Sequence, residues 1–247
     1  MTCCSYFGGG SRNMDQLSKK IKKSLLKEGA SLVSFADLKN LPSESTRSMP
    51  YAISIAVALN PSIIAKILQG PTLEYYEEYQ KANLFLSYLG KLTANILQDW
   101  GYNAIALEPT TENFNSDTLS TPLPHKTIAT RAGLGWIGKS ALLITQAYGS
   151  AIRFTSVLTN VLLEVSTPEN QTHCGECTIC VDNCPGHAPS GKNWEMNLPR
   201  EIYFNAFSCQ QTAQRLSHSI GIDATICGIC IASCPWTKKY LMKYGFK

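Results

Sequence analysis

An α/β (α+β) sandwich domain followed by a small, cysteine-ligated domain is the architecture this sequence predicts, and three observations predict it. Amphipathic segments alternate with continuous apolar runs along the first 165 residues. Eight of the ten cysteines lie beyond position 170. At 247 residues and 44% hydrophobic content, the chain is long enough to bury a core. The expected organisation is a flexible end over residues 1–13, which includes Gly8-Gly9-Gly10-Ser11, an α/β domain over 14–165 and a cysteine-bearing domain over 166–247.

A first helix is expected from about Met14 to Gly29, where Leu17, Ile21 and Leu25, spaced four apart, make an apolar stripe. Lys19, Lys20, Lys22, Lys23 and Lys27 share that segment and read as its solvated face, since no aromatic or arginine interleaves with them as in a nucleic-acid patch. Ser31 to Phe35 is apolar enough for a strand. Tyr51 to Leu59, closed by Asn60-Pro61, reads as a buried central strand. Leu84, Leu89, Leu92, Ile96 and Leu97 carry a long helix from Leu73 to Trp100, with Gly101 placed to stop it. Tyr102 to Leu107 follows as a strand and Glu108 to Pro124 as a polar loop, while Tyr75, Tyr76 and Tyr79 read as packing. The net charge of +4 does not compel a nucleic-acid partner, and no run of eighteen apolar residues exists to place in a membrane.

The cysteines run Cys174-x-x-Cys177-x-x-Cys180-x-x-x-Cys184-Pro185, then Cys209, then Cys227-x-x-Cys230-x-x-x-Cys234-Pro235. This is the ligand pattern of two 4Fe-4S clusters, in which three thiolates come from one tight run and the cysteine before proline crosses to the other cluster. The second run lacks its first cysteine, because Ala224 stands where Cys174 has its counterpart, and Cys209 fills the count. One cluster is therefore assigned to Cys174, Cys177, Cys180 and Cys234, the other to Cys209, Cys227, Cys230 and Cys184. Zinc prefers separated C-x-x-C pairs, and disulfides need an oxidising compartment for which no apolar leader argues. The ligands thus imply a reducing cytoplasm. Cys3 and Cys4 have no further partners and are expected to be a loose, oxidisable end.

A second signal is Arg131-Ala-Gly133-Leu-Gly135-Trp-Ile-Gly138-Lys139. Three glycines permit close backbone approach, and Arg131 and Lys139 bracket them with positive charge, as an anionic ligand requires. A dinucleotide fingerprint would need a strand before Gly133 and a carboxylate about twenty residues on. The preceding stretch instead looks helical, and Ile152 to Asn160 supplies no carboxylate.

The stretches ATRAGLGWIGKSALLIT (129–145) and YGSAIRFTSVLTN (148–160), followed by the double cysteine runs ending in Cys234-Pro235-Trp236, resemble the epoxyqueuosine reductase family and its shorter double-cluster relatives from about Tyr51 to Trp236. The resemblance implies a corrinoid-binding core like that of reductive dehalogenases, followed by a ferredoxin-like double-cluster domain. It implies base-off cobalamin beside the clusters, corrinoid contacts at Thr155 to Thr159 and at Gln210, Cys227 and Gly228, and a core motif from Arg131 to Lys139. It further implies an oxidoreductase that draws low-potential electrons from a donor such as ferredoxin or flavodoxin and reduces an electrophilic small-molecule or nucleoside-like substrate. The alternative is a non-catalytic electron-transfer module. The family's proton-donating aspartate stands twelve residues before the arginine, a position occupied here by Leu119, so His125 and then Asp117 are the substitute candidates. The tRNA-modifying enzymes carry a helical-repeat extension after the clusters, whereas this sequence runs thirteen residues past Cys234, and tRNA is correspondingly less favoured as a partner.

Overall fold

The computed structural model describes residues 10–110 and 114–246. Cys3, Cys4 and the expected flexible end up to position 9 lie outside the described residues, and positions 10–13 already belong to the first helix, α1 (Gly10–Lys27). Ile21 and Leu25 are buried under α1 and Lys20, Lys22 and Lys23 face outward. The helix closes where Gly29 turns left-handed (φ 108°) and Ala30 donates to the Leu25 carbonyl at 3.0 Å.

Four strands form one antiparallel sheet in the order β1 (Leu32–Asp37), β2 (Tyr51–Ala58), β6 (Ile152–Thr159), β3 (Ala104–Leu107). Strand β2 is central and buried along nearly its whole length, because both faces of the sheet are covered. Its odd positions Tyr51, Ile53, Ile55 and Val57 face the layer of α1 and the long helix α3 (Leu73–Asp99), which is capped by the Thr72 hydroxyl accepting from Tyr75 N–H. On the opposite face Ala52 and Ala56 are small, and α4 (His125–Arg131) packs there through Ile128, Ala129 and Ala132. A two-stranded ribbon, β4 (Trp136–Ile137) with β5 (Leu143–Ile144), follows α4.

The cysteine-rich segment is built from short helices: α5 (Ile179–Asp182), α6 (Arg200–Tyr203), α7 (Ala206–His218), α8 (Ile229–Ser233) and α9 (Pro235–Met242). It shares the main core, since Ile226, Ala232, Tyr240 and Leu241 pack with Ile64 of α2 (Pro61–Ile64) and with Ile67. Polar ties cross the same junction. The Tyr240 hydroxyl donates to the Leu59 carbonyl at 2.9 Å, and Ser150 N–H donates to the Thr237 hydroxyl at 3.1 Å. Among the described residues no helix is long and apolar enough to cross a membrane.

Candidate metal centre and adjoining cavity

The eight cysteines from 174 to 234 are all free thiols, and the fold gathers them into two sets. Cys174, Cys177, Cys180 and Cys234 surround a cavity of about 100 Å³, closed by Lys139, Ile144, Pro235 and Trp236. Burial, and then the neighbouring Cys174, Cys234 and Cys177, push the Cys180 thiol up to about 12. In the second set burial, and then Cys184 and Cys227, push Cys209 up to about 11. Cys230 is raised still further by burial and by Cys209, Cys227, Cys180 and Cys184. Cys209 reaches this group from α7, far from the other ligands in sequence, while α8 supplies Cys230. Gly228, left-handed at φ 88°, lets the second loop press against Ile67 and Tyr75.

Such clustered, buried thiols are unfavourable as thiolates until a cation neutralises them. One further observation tests the fit of a cubane. Of three buried side-chain polar atoms without a partner among the described residues, two lie beside the thiols: Trp136 Nε1, whose ring packs with Cys174 and Cys234, and the hydroxyl of Ser233, next to Cys234. Sulfide and thiolate acceptors would satisfy such donors, so the residues fit the group.

A large cavity, about 780 Å³, lies on the α4 side of the sheet. It is lined by Asp37, by the loop residues Leu119 to Thr121, by Lys126, Thr127, Thr130 and Arg131 of α4, and by Trp194, Arg200 and Tyr203. Trp194 also packs against Trp136 and Ile144 beside the first thiol set, and Ile137 lines the cavity next to Trp136. Trp194 and the Trp136-Ile137 strand therefore connect this cavity's wall to the surroundings of the first thiol set.

The structure disperses most of the other sequence-nominated residues. Arg131 lines the large cavity, its guanidinium donating to the Glu169 carbonyl at 2.7 Å and to Asn170 Oδ1 at 2.6 Å. Lys139 is buried against the first thiol set. The chain itself fills the space where a side chain on any of the three glycines would stand. A Cβ on Gly133 would meet the Thr167 carbonyl at 2.4 Å, one on Gly135 the Ile144 carbonyl at 2.0 Å, and one on Gly138 the Ile144 side chain at 2.4 Å. Thr155 and Thr159 are fully buried in β6, with hydroxyls donating to the Leu107 and Asn103 carbonyls. Gln210 is half-buried on α7, and with Cys227 and Gly228 it belongs to the second thiol set's surroundings, away from the large cavity.

Neither proton-donor candidate lines that cavity. His125 is buried, with Nε2 2.8 Å from the Glu108 carbonyl and Nδ1 3.0 Å from the Ser156 hydroxyl. A carbonyl only accepts, so Nε2 carries the proton and Nδ1 accepts from Ser156. Burial holds the ring below its ordinary range and therefore neutral. His125 ties the loop to the sheet. Asp117 is exposed in a turn capped by Asn115. The residue that sequence reasoning missed is Lys126, the next along α4, which lines the cavity and whose ammonium is pulled down to about 8 by burial and by Arg200.

Fold and thiol pattern together define an α/β core joined to a module that carries two four-thiol sets. Residues 173–237 match the family model of the 4Fe-4S double cluster binding domain. A catabolic reductive dehalogenase, solved with 3-bromo-4-hydroxybenzoic acid, superposes at a TM-score of 0.70 over 93% of this chain and 33% of its own, at 17% identity. An epoxyqueuosine reductase solved with an epoxyqueuosine-modified tRNA-Tyr stem loop gives a TM-score of 0.60 over 90% of this chain and 66% of its own, at 18% identity. In sequence the chain is similar to epoxyqueuosine reductases. It is 33% identical over 122 residues to the enzyme of Synechocystis sp., covering 48% of this chain and 41% of the relative. It is 27% identical over 176 residues to that of Pseudomonas aeruginosa, covering 71% and 47%. The chain spans less than half the length of these two relatives.

Proposed function

We propose that this protein is a cobalamin-dependent iron-sulfur reductase acting on an electrophilic carbon, an epoxide or a carbon bearing a leaving group. The observation that carries the reading is the adjacency of the first four-thiol set to a cavity of about 780 Å³, joined by Trp194, which lines the cavity and packs with Trp136 and Cys234. Cys174, Cys177, Cys180 and Cys234 would hold the cluster nearer the cavity, and Cys184, Cys209, Cys227 and Cys230 the other. A structurally similar reductive dehalogenase, matched over 98% of this chain at 16% identity, is described as B12-dependent, which supports a corrinoid as the cavity's cofactor. When bound, a corrinoid supplies a strongly nucleophilic and reducing cobalt, and 4Fe-4S clusters span potentials down to about −700 mV, low enough to reduce it.

The chain's own residues do the rest. Trp194, Trp136 and Trp236 keep water from the first cluster position, the latter two edge to face with centroids 5.0 Å apart. Lys126 and Arg131 set a positive wall, and Leu119 presents an apolar side where the similar tRNA-modifying enzymes place an acid. Epoxyqueuosine, free or within tRNA, is on this reading a poor substrate, since loss of a general acid costs a factor of about 100 to 10,000. The test is to load anaerobically purified protein with cobalamin and record electron paramagnetic resonance of the Co(II) form. Stoichiometric corrinoid without nitrogen superhyperfine splitting is expected. Absence of corrinoid binding would overturn the reading in favour of an electron-transfer module.

A further inference from the structure

Lys126 carries three N–H donors and uses one, on the Ala141 carbonyl at 3.0 Å. It is only partly exposed, it lines the large cavity, and no carboxylate is within salt-bridge distance of it among the described residues. A lysine in such a place is costly unless something pairs with it. The other charged groups on the cavity wall are already engaged. Arg200 pairs with Glu201 at 2.9 Å and donates to the Thr118 and Leu119 carbonyls. Asp37 faces Lys39 at 3.6 Å. Arg131, one turn and a half along α4 from Lys126, is satisfied only by neutral acceptors, namely a carbonyl, an amide oxygen and the Met196 sulfur. Tyr203, pushed up to about 12, stays protonated at neutral pH. The wall is thus left with two cations whose charge no protein group neutralises, in a cavity that also offers the side chains of Ser120, Thr121, Thr127 and Thr130.

We propose that the cavity is an anion site in which Lys126, with Arg131 on the same wall, binds a carboxylate or phosphate group of the cavity's ligand. This concerns the cavity assigned above to a corrinoid, but it stands or falls without that assignment. The anion can come from a small acidic substrate or from the phosphodiester tail of a corrinoid. Because Lys126 sits near half-protonation at about pH 8 and an anion stabilises the ammonium, binding takes up a proton in that range. Above that pH the affinity falls, by up to about tenfold per pH unit.

The probe is inorganic phosphate, with acetate as the carboxylate counterpart, titrated into cobalamin-free protein by calorimetry at pH 7 and pH 9 in buffers of different ionisation enthalpy. Wild type is expected to bind with proton uptake and to weaken by about tenfold or more toward pH 9. Lys126→Met should lose the binding, whereas Lys126→Arg, which stays charged, should keep it and lose the pH dependence. Thermal melts of both variants show that they fold, and Lys126→Arg carries the test if Lys126→Met does not. Equal phosphate binding in wild type and Lys126→Met, or wild-type binding without proton uptake, would overturn the proposal. Comparing cobalamin with cobinamide, which lacks the phosphodiester tail, then locates the source. Weakening by Lys126→Met of cobalamin alone assigns the anion to the cofactor, and unchanged binding of both corrinoids beside lost phosphate binding assigns it to the substrate.

Discussion

In water Lys126 would hold its proton to an ordinary value of 10.5, and in this fold burial and Arg200 bring it to about 8. Between about pH 8 and 10.5 the unfolded chain therefore binds more protons than the native state, so stability rises with pH across that window. Below pH 8 the full cost of the confined charge is present. Lys126→Met is expected to raise the unfolding free energy of ligand-free protein at pH 7, by at most about 3.5 kcal/mol at ~1.4 kcal/mol per pKa unit, and the gain should shrink toward pH 10.5. A variant less stable than wild type at pH 7 would show a hidden stabilising role instead. The sequence pointed to His125, one residue away, because histidine titrates near neutrality. Adjacent helical positions diverge by about 100°, so His125 turns to the sheet while Lys126 turns to the cavity, and a composition-based choice between the two has no access to that rotation. His125→Ala should lower stability by about 1 to 3 kcal/mol through the orphaned Ser156 hydroxyl and Glu108 carbonyl, with phosphate binding retained.

At the scale of elements, the strong periodic segments were legible. The apolar run from Tyr51 became β2 (Tyr51–Ala58), and the leucine-rich pattern became α3 (Leu73–Asp99), stopped as expected by Gly101 at φ 84°. Strands β4 and β5 were not legible, because two-residue strands carry no period. That gap also hid the packing role of the glycines. Gly133, Gly135 and Gly138 resemble a ligand cradle in one dimension, and only the folded ribbon shows that Ile144 and Thr167 fill the space. Gly135→Ala is the corresponding test. Its Cβ would fall 2.0 Å from the Ile144 carbonyl, so the ribbon must open and Trp136 must leave the first thiol set. The expected outcome is a marked loss of stability, with about four irons retained per reconstituted chain from the second set. Full iron content and an unchanged melt would show that the ribbon does not position the cluster.

For the whole molecule, the expected two units share one continuous core, with Tyr240 and Leu241 of the cysteine-rich end packed beside Ile64 and Ile67. The gathering of Cys174, Cys177 and Cys180 with the distant Cys234 around one cavity was legible from the spacing, because each cubane needs four thiolates and the pattern sends the cysteine before proline to the other run. The large cavity was not, since its wall is assembled from residues between 37 and 203 whose proximity no local pattern encodes. Cys209 links the two levels, as an isolated thiol in sequence that the fold delivers to Cys184, Cys227 and Cys230. Cys209→Ala should therefore remove one cluster and spare the other, halving the iron content, whereas unchanged iron would reduce Cys209 to a buried thiol. The most direct measurement is the iron and acid-labile sulfide content of anaerobically reconstituted wild type. The account predicts about eight of each per chain, from two cubanes. A plateau at four irons, or stoichiometric zinc in their place, would contradict it.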